Sequence, residues 1–163
     1  MCFNGQVTAL DYNRIVQELG SYAERAPSVE HLMSEIVARL SHVPTYNWIG
    51  FYVVSKNEPG ILEIGPYIGA ETPHKRIPLN QGICGAAASS GRTIVVDDVN
   101  SDPRYLACSL ETKSEIVVPI FQQGKVAGEL DIDSHTPAAF AAADRVLVER
   151  CATLVGRYLE QHS

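Results

Sequence analysis

The residues best suited to chemistry lie between 92 and 134: a lone Cys108 between two turn signals, then the run S-E-I-V-V-P-I and, beyond a turn, G-E-L-D-I-D-S. A loop cysteine is accessible, acts as a nucleophile in its thiolate form and can pass through a sulfenic acid, so the chemistry open to this chain is thiol redox. The carboxylates need a separate account. Ile116 to Phe121 is rich in β-branched and aromatic residues, 122–124 is a turn cluster, and Val126 to Ile132 resumes the strand pattern, which predicts a hairpin. On its second strand Glu129, Asp131 and Asp133 alternate with Leu130 and Ile132, so the period of two sends the acids to one face and the aliphatics to the other. Glu115 enters at the mouth of the first strand. Two readings stand: a solvated face of an antiparallel sheet, the usual meaning of alternation, or a cation-binding pocket, since Asp is disfavoured in strand interiors.

The surrounding elements come from periodicity and punctuation. Tyr12, Ile15, Val16, Leu19, Tyr22 and Ala23 recur at helical spacing, and Pro27-Ser28 breaks that helix and caps a second one striped by Leu32, Ile36, Val37 and Leu40. The apolar run Asn47 to Val54, a turn at 57–60 and Ile61 to Tyr67 predict another hairpin, in which Trp48 and Tyr52 share a face with Gly50 between them. The rings either pack in the core or flank a space left by Gly50 for a small apolar ligand group. A short strand ends at Pro78, and a small-residue helix runs from Gly82 until Gly91 stops it. Cys84 sits in its first turn, where the helix dipole could lower a thiol pKa, or where a Cys is simply a small buried hydrophobe. A strand is expected over Thr93 to Val96. Ser101-Asp102-Pro103-Arg104 then reads as an N-cap segment, giving a short helix through Tyr105, Leu106 and Ala107 that delivers Cys108 to a loop. A final helix is expected from Phe140 to Gln161, with Cys151 as packing. The order predicts an α+β domain with a mainly antiparallel central sheet flanked by N- and C-terminal helices, one domain over 1–163.

Composition narrows the function classes. With 163 residues, 45% hydrophobic and 20% charged, the chain fits one compact domain with a sizeable core. A net charge of -6 and the absence of a basic block argue against nucleic acid or an anionic membrane as partner. The N-terminus lacks a signal-peptide pattern and no apolar run approaches the roughly 18 residues of a span, so a cytoplasmic protein is expected. The four cysteines, Cys2, Cys84, Cys108 and Cys151, include no C-x-x-C, which argues against a zinc ribbon and a disulfide framework, and no metal is expected.

On the segment order, the chain resembles the GAF domain. The strings W-I-G-F-Y, L-E-I-G-P-Y-I-G, R-I-P-L-N-Q-G-I-C-G-A-A, D-V-N, Y-L-A-C, S-E-I-V-V-P-I and L-D-I-D-S, spread over about 45 to 155, resemble the free methionine-(R)-sulfoxide reductases, stand-alone GAF enzymes. The resemblance implies that Cys108 is the catalytic cysteine, attacking the sulfoxide sulfur, releasing methionine and becoming a sulfenic acid, and that Cys84 captures it as a disulfide. It implies that Glu115, Asp131 and Asp133 bind the substrate ammonium and help protonate the sulfoxide oxygen. Trp48 and Tyr52 would wall the substrate methyl. Thioredoxin is the external reductant it implies, with no bound cofactor, and pairing into a homodimer through terminal helices is common among GAF domains. Two departures stand out. His74 occupies the place of a further family cysteine in a loop one residue longer, and Ser109-Leu110-Glu111 comes after Cys108 where relatives often carry an Asp. His74 is either a surface residue or a ligand-binding or proton-transfer group. The alternative function is a non-catalytic GAF module binding a small metabolite; against it, no attached segment within the 163 residues could transmit a signal.

Overall fold

A computed structural model describes residues 9–107 and 109–163. Helices α1 (Ala9–Ala23) and α2 (Val29–Leu40) precede strands β1 (Trp48–Val54), β2 (Ile61–Ile68) and β3 (Arg76–Pro78). Helix α3 (Gly82–Ser90), strands β4 (Ile94–Val96), β5 (Ser114–Gln122) and β6 (Lys125–Ser134), and helix α4 (Ala142–Gln161) complete the order. The strands form one antiparallel sheet, β3-β2-β1-β6-β5-β4, with β6 between β1 and β5. This is the expected α+β arrangement. No helix among the described residues is long and apolar enough to cross a membrane.

Local sequence explains the boundaries. Ser28 caps α2, its hydroxyl accepting from the His31 amide. Gly91 ends α3 in the left-handed region at φ 65°, a conformation that favours glycine. The β5–β6 hairpin turns through Gln123 and Gly124, both with positive φ, the backbone that matches strand twist in a two-residue loop. Asp144 in the first turn of α4 accepts from the Ala141 amide at 2.9 Å and from the hydroxyls of Tyr12 and Tyr46 at 2.8 and 2.6 Å, tying α1 and the approach to β1 onto α4. Burial and the Asp144 carboxylate together push the Tyr12 hydroxyl up to about 12 and Tyr46 higher still.

Both faces of the sheet are covered. Leu130 and Ile132 of β6 point into the core shared with α1, α2 and α4, whereas Trp48, Tyr52 and Val117 face a second apolar cluster closed by α3 with Ile83, Cys84 and Ala87. The three acids of β6 alternate with Leu130 and Ile132, so they face the α3 side, and the solvated-face reading does not hold.

One predicted element is absent. Instead of a helix over 105–107, a 3-10 turn forms at Val99–Ser101, capped by Asp98 through the Asn100 amide, and 102–107 is irregular. Asp102, not Ser101, organises the residues after it: its carboxylate takes the Arg104 amide at 2.9 Å and grips the guanidinium, which lowers the Asp102 pKa. That turn competes with a helical first turn, as Asp does outside caps.

Candidate functional site

Strand register assembles the site. In the row nearest the sheet end, Asp133 lies between Trp48 of β1 and Glu115 of β5; in the next, Asp131 lies between Gly50 and Val117; in the third, Glu129 lies between Tyr52 and Pro119. The carboxylates therefore descend one face in steps of two, and α3 lays Cys84 against them. The cysteine Sγ donates to Asp131 Oδ2 at 3.3 Å. All four acids are buried: Glu115 is 5% exposed, Glu129 0%, Asp131 4% and Asp133 4%.

Burial dominates their electrostatics. It raises the Asp131 pKa from 3.8 to about 6, opposed by hydrogen bonds from Glu115 and Cys84. Asp133 is pushed well up by burial and then by the Asp131 charge, and Glu129 likewise, first by burial. The Cys84 thiol is raised well above its ordinary value, by burial first and then by Asp131, Glu129 and Glu115. The dipole-lowered thiolate considered for Cys84 is thus corrected: the first turn of a short helix supplies less than desolvation and the neighbouring carboxyls remove. Cys84 has one proton to donate, and it goes to Asp131. Glu129, near the same sulfur, has both oxygens buried without a hydrogen-bond partner.

The aromatic side of the site is closely packed. Trp48 stacks on Tyr67 and Tyr52 at 5.5 and 6.3 Å between ring centroids, and its indole N–H donates to the Ala70 carbonyl at 3.1 Å. The space over Gly50 is filled by the Trp48 ring itself, so it is not a ligand slot: a Cβ at Gly50 would collide with that ring, and one at Gly69 would as well. The rings are core residues, 9% and 1% exposed, whose edges reach two small cavities. Trp48, Asp133, Thr72, Ser109 and Glu111 line one of about 90 Å³. Tyr52, Cys84, Glu115, Asp131 and Leu106 line the other, of about 20 Å³, room for about one water.

Cys108, the expected nucleophile, lies outside the described residues, as does Cys2. Residues on either side of it frame the site: Leu106 closes the smaller cavity and Ser109 lines the larger. Cys151 is in the core behind the sheet, fully buried, its thiol pushed up to about 12 by burial, in keeping with a packing role. His74 is half-buried rather than a plain surface residue. Its Nε2 donates to the Ala107 carbonyl at 3.1 Å, and its own carbonyl accepts from Tyr52 at 2.8 Å. Sequence reasoning placed Glu129 on the acid face without a role. The Tyr52–His74–Ala107 connection it missed, because the partners are 22 and 33 residues apart and no motif announces them.

Comparison with known proteins concerns the chain as a whole. The GAF domain pattern matches residues 28–159. Protein YtsP of Bacillus subtilis is 35% identical over 152 residues, 93% of this chain and 92% of that protein. The free methionine-R-sulfoxide reductase of Saccharomyces cerevisiae is 42% identical over 112 residues, 68% of this chain and 62% of its own length. Among solved structures, free methionine-R-sulfoxide reductase from Neisseria meningitidis, in complex with its substrate, superposes with a TM-score of 0.89 at 31% identity, covering 98% of this chain and 95% of that one.

Proposed function

This chain belongs to the GAF domain family and is related within it to the free methionine-R-sulfoxide reductases, and we propose that it reduces free L-methionine-(R)-S-oxide to methionine. The observation that carries the reading is the row of buried carboxylates, Glu115, Asp131 and Asp133, set beside Trp48 and Tyr52, with Leu106 and Ser109 bringing the chain on either side of Cys108 to the site. A free amino acid offers the ammonium such acids would hold. Its sulfoxide oxygen needs a proton as it leaves sulfur, and carboxyls with raised pKa values supply protons near neutrality.

The Cys108 sulfur attacks the sulfoxide sulfur, the S–O bond breaks, and the oxygen ends on Cys108 as a sulfenic acid. Methionine sulfur is reduced by two electrons and Cys108 oxidised by two. The Cys84 sulfur then attacks Cys108, its proton passing to Asp131 at 3.3 Å, and water leaves as the disulfide forms. Thioredoxin dithiol regenerates both thiols, which suits a reducing, cytoplasmic setting. His74, standing where relatives often carry another cysteine, leaves Cys84 as the resolving thiol. The Cys84 cavity, about 20 Å³, is too small for the zwitterion, so substrate entry requires the 102–107 segment that carries Leu106 to move outward. That segment has few buried residues to hold it.

The test is an NADPH-coupled assay with thioredoxin, thioredoxin reductase and free methionine-(R)-S-oxide. Wild type should consume NADPH, and Cys108→Ser should fall to background because a serine hydroxyl neither ionises at neutral pH nor forms a sulfenic acid. A Cys108→Ser variant with wild-type turnover refutes the reading.

A further inference from the structure

The site holds four buried carboxyl groups, Glu115, Glu129, Asp131 and Asp133, against the single ammonium of a methionine sulfoxide zwitterion. Among the described residues, no Lys, Arg or His forms an ion pair with Glu129, Asp131 or Asp133. Glu129 has no exposed surface and both its oxygens lack a hydrogen-bond partner, as do Oδ1 of Asp131 and Oδ1 of Asp133. Buried carboxylate oxygens of this kind are normally paired or bound to a metal. The cavity beside the Cys84 sulfur and Asp131, about 20 Å³, holds one ion but no amino acid.

We propose that Cys84, Glu115 and Asp131 form a binding site for a thiophilic divalent cation of the Zn²⁺ or Co²⁺ class, with water as the fourth ligand. One ligand atom from each of the three residues lies within 4.8 Å of the others. Tetrahedral Zn²⁺ with bonds of about 2.0 Å to oxygen and about 2.3 Å to sulfur sets its ligand atoms about 3.3 to 3.8 Å apart. The Cys84 Sγ to Asp131 Oδ2 separation is already 3.3 Å. The ligand set selects the metal: one thiolate with two carboxylates suits a borderline cation, while Mg²⁺ and Ca²⁺ prefer six or more oxygens. No local ligand spacing announces the site, since positions 84, 115 and 131 meet only through α3 and the β5–β6 pairing. A bound cation and the substrate ammonium would compete for Asp131, and the cation would sequester Cys84 from its resolving role.

The experiment uses full-length protein, reduced and washed with EDTA, titrated anaerobically with Co²⁺. A thiolate-to-Co²⁺ charge-transfer band in the near ultraviolet should saturate at one equivalent, vanish in Cys84→Ser and need at least tenfold more metal in Asp131→Asn. Separately, one equivalent of Zn²⁺ should raise the urea unfolding midpoint of wild type and not of Asp131→Asn, a readout that stands even if Cys84→Ser does not fold. Absence of the band in wild type, its persistence in Cys84→Ser, or an equal Zn²⁺ shift in Asp131→Asn overturns the site. Neither readout involves turnover, so this proposal and the reductase reading fail independently.

Discussion

Asp131 makes the folded protein sensitive to pH in a direction opposite to ordinary acid denaturation. Its pKa rises from 3.8 to about 6 on folding, because the strand register buries it between Gly50 and Val117 under α3. That rise corresponds to about 3 kcal/mol by which the ionised carboxylate opposes folding at pH 7, and Asp131→Asn should recover an amount of that order. The sign is set by proton uptake: between pH 4 and 6 the folded state binds more protons than the unfolded one, so stability rises as pH falls through about 6. From pH 7 to pH 5, Asp131 alone contributes about 1 kcal/mol of added stability, and Asp133 and Glu129, raised for the same cause, act in the same direction. Asp102, whose pKa is lowered by Arg104, loses its contribution only below its unfolded value of 3.8, outside this window. Trp48, the single tryptophan, is buried beside the cluster and reports unfolding. Urea titrations in EDTA should place the wild-type midpoint higher at pH 5 than at pH 7, by roughly a third of a molar to one molar from Asp131 alone for a slope of about 1–3 kcal/mol/M. Asp131→Asn should raise the pH 7 midpoint and flatten the pH dependence. A wild-type protein less stable at pH 5 than at pH 7, or an Asp131→Asn variant destabilised at pH 7, would show that burying these carboxylates does not oppose folding.

Further outcomes test the chemistry and the packing. Cys84→Ser should release one equivalent of methionine from the sulfoxide in a single-turnover assay but lose multiple turnover with thioredoxin; unchanged cycling would make Cys84 a packing residue only. N-acetyl methionine sulfoxide should react at least about fivefold more slowly than the free amino acid, because an amide leaves buried carboxylates without their ammonium at a cost of about 1–3 kcal/mol, read as kcat/KM. Gly50→Ala should displace the Trp48 ring and cost about 1–3 kcal/mol in urea unfolding, with a changed tryptophan emission; a fully stable variant would mean that the ring can swing clear.

Much of this protein is written in local patterns. The alternation of Glu129, Asp131 and Asp133 with Leu130 and Ile132 determined that the acids share a face, because a strand repeats every two residues whatever surrounds it. The glycines at 91 and 124, the cap at Ser28 and the stripes of α1 and α2 likewise set element ends and faces without help from distant contacts. What alternation could not settle was whether the acid face met water. That depended on α3, which comes well before β6 in the chain, closing over it and placing Cys84 3.3 Å from Asp131. The same closure decided between the two readings of Cys84, since desolvation and neighbouring charge outweigh one helix terminus. Tertiary packing also decided that Trp48 fills the space Gly50 leaves, and that His74 meets Ala107. The segment at 98–104 departed from its reading for a local reason: Asp98 caps a 3-10 turn through the Asn100 amide and Asp102 binds Arg104, in place of an N-cap leading into a helix. Periodicity reports a side chain's direction; burial, pKa and pairing depend on what the rest of the chain brings to meet it.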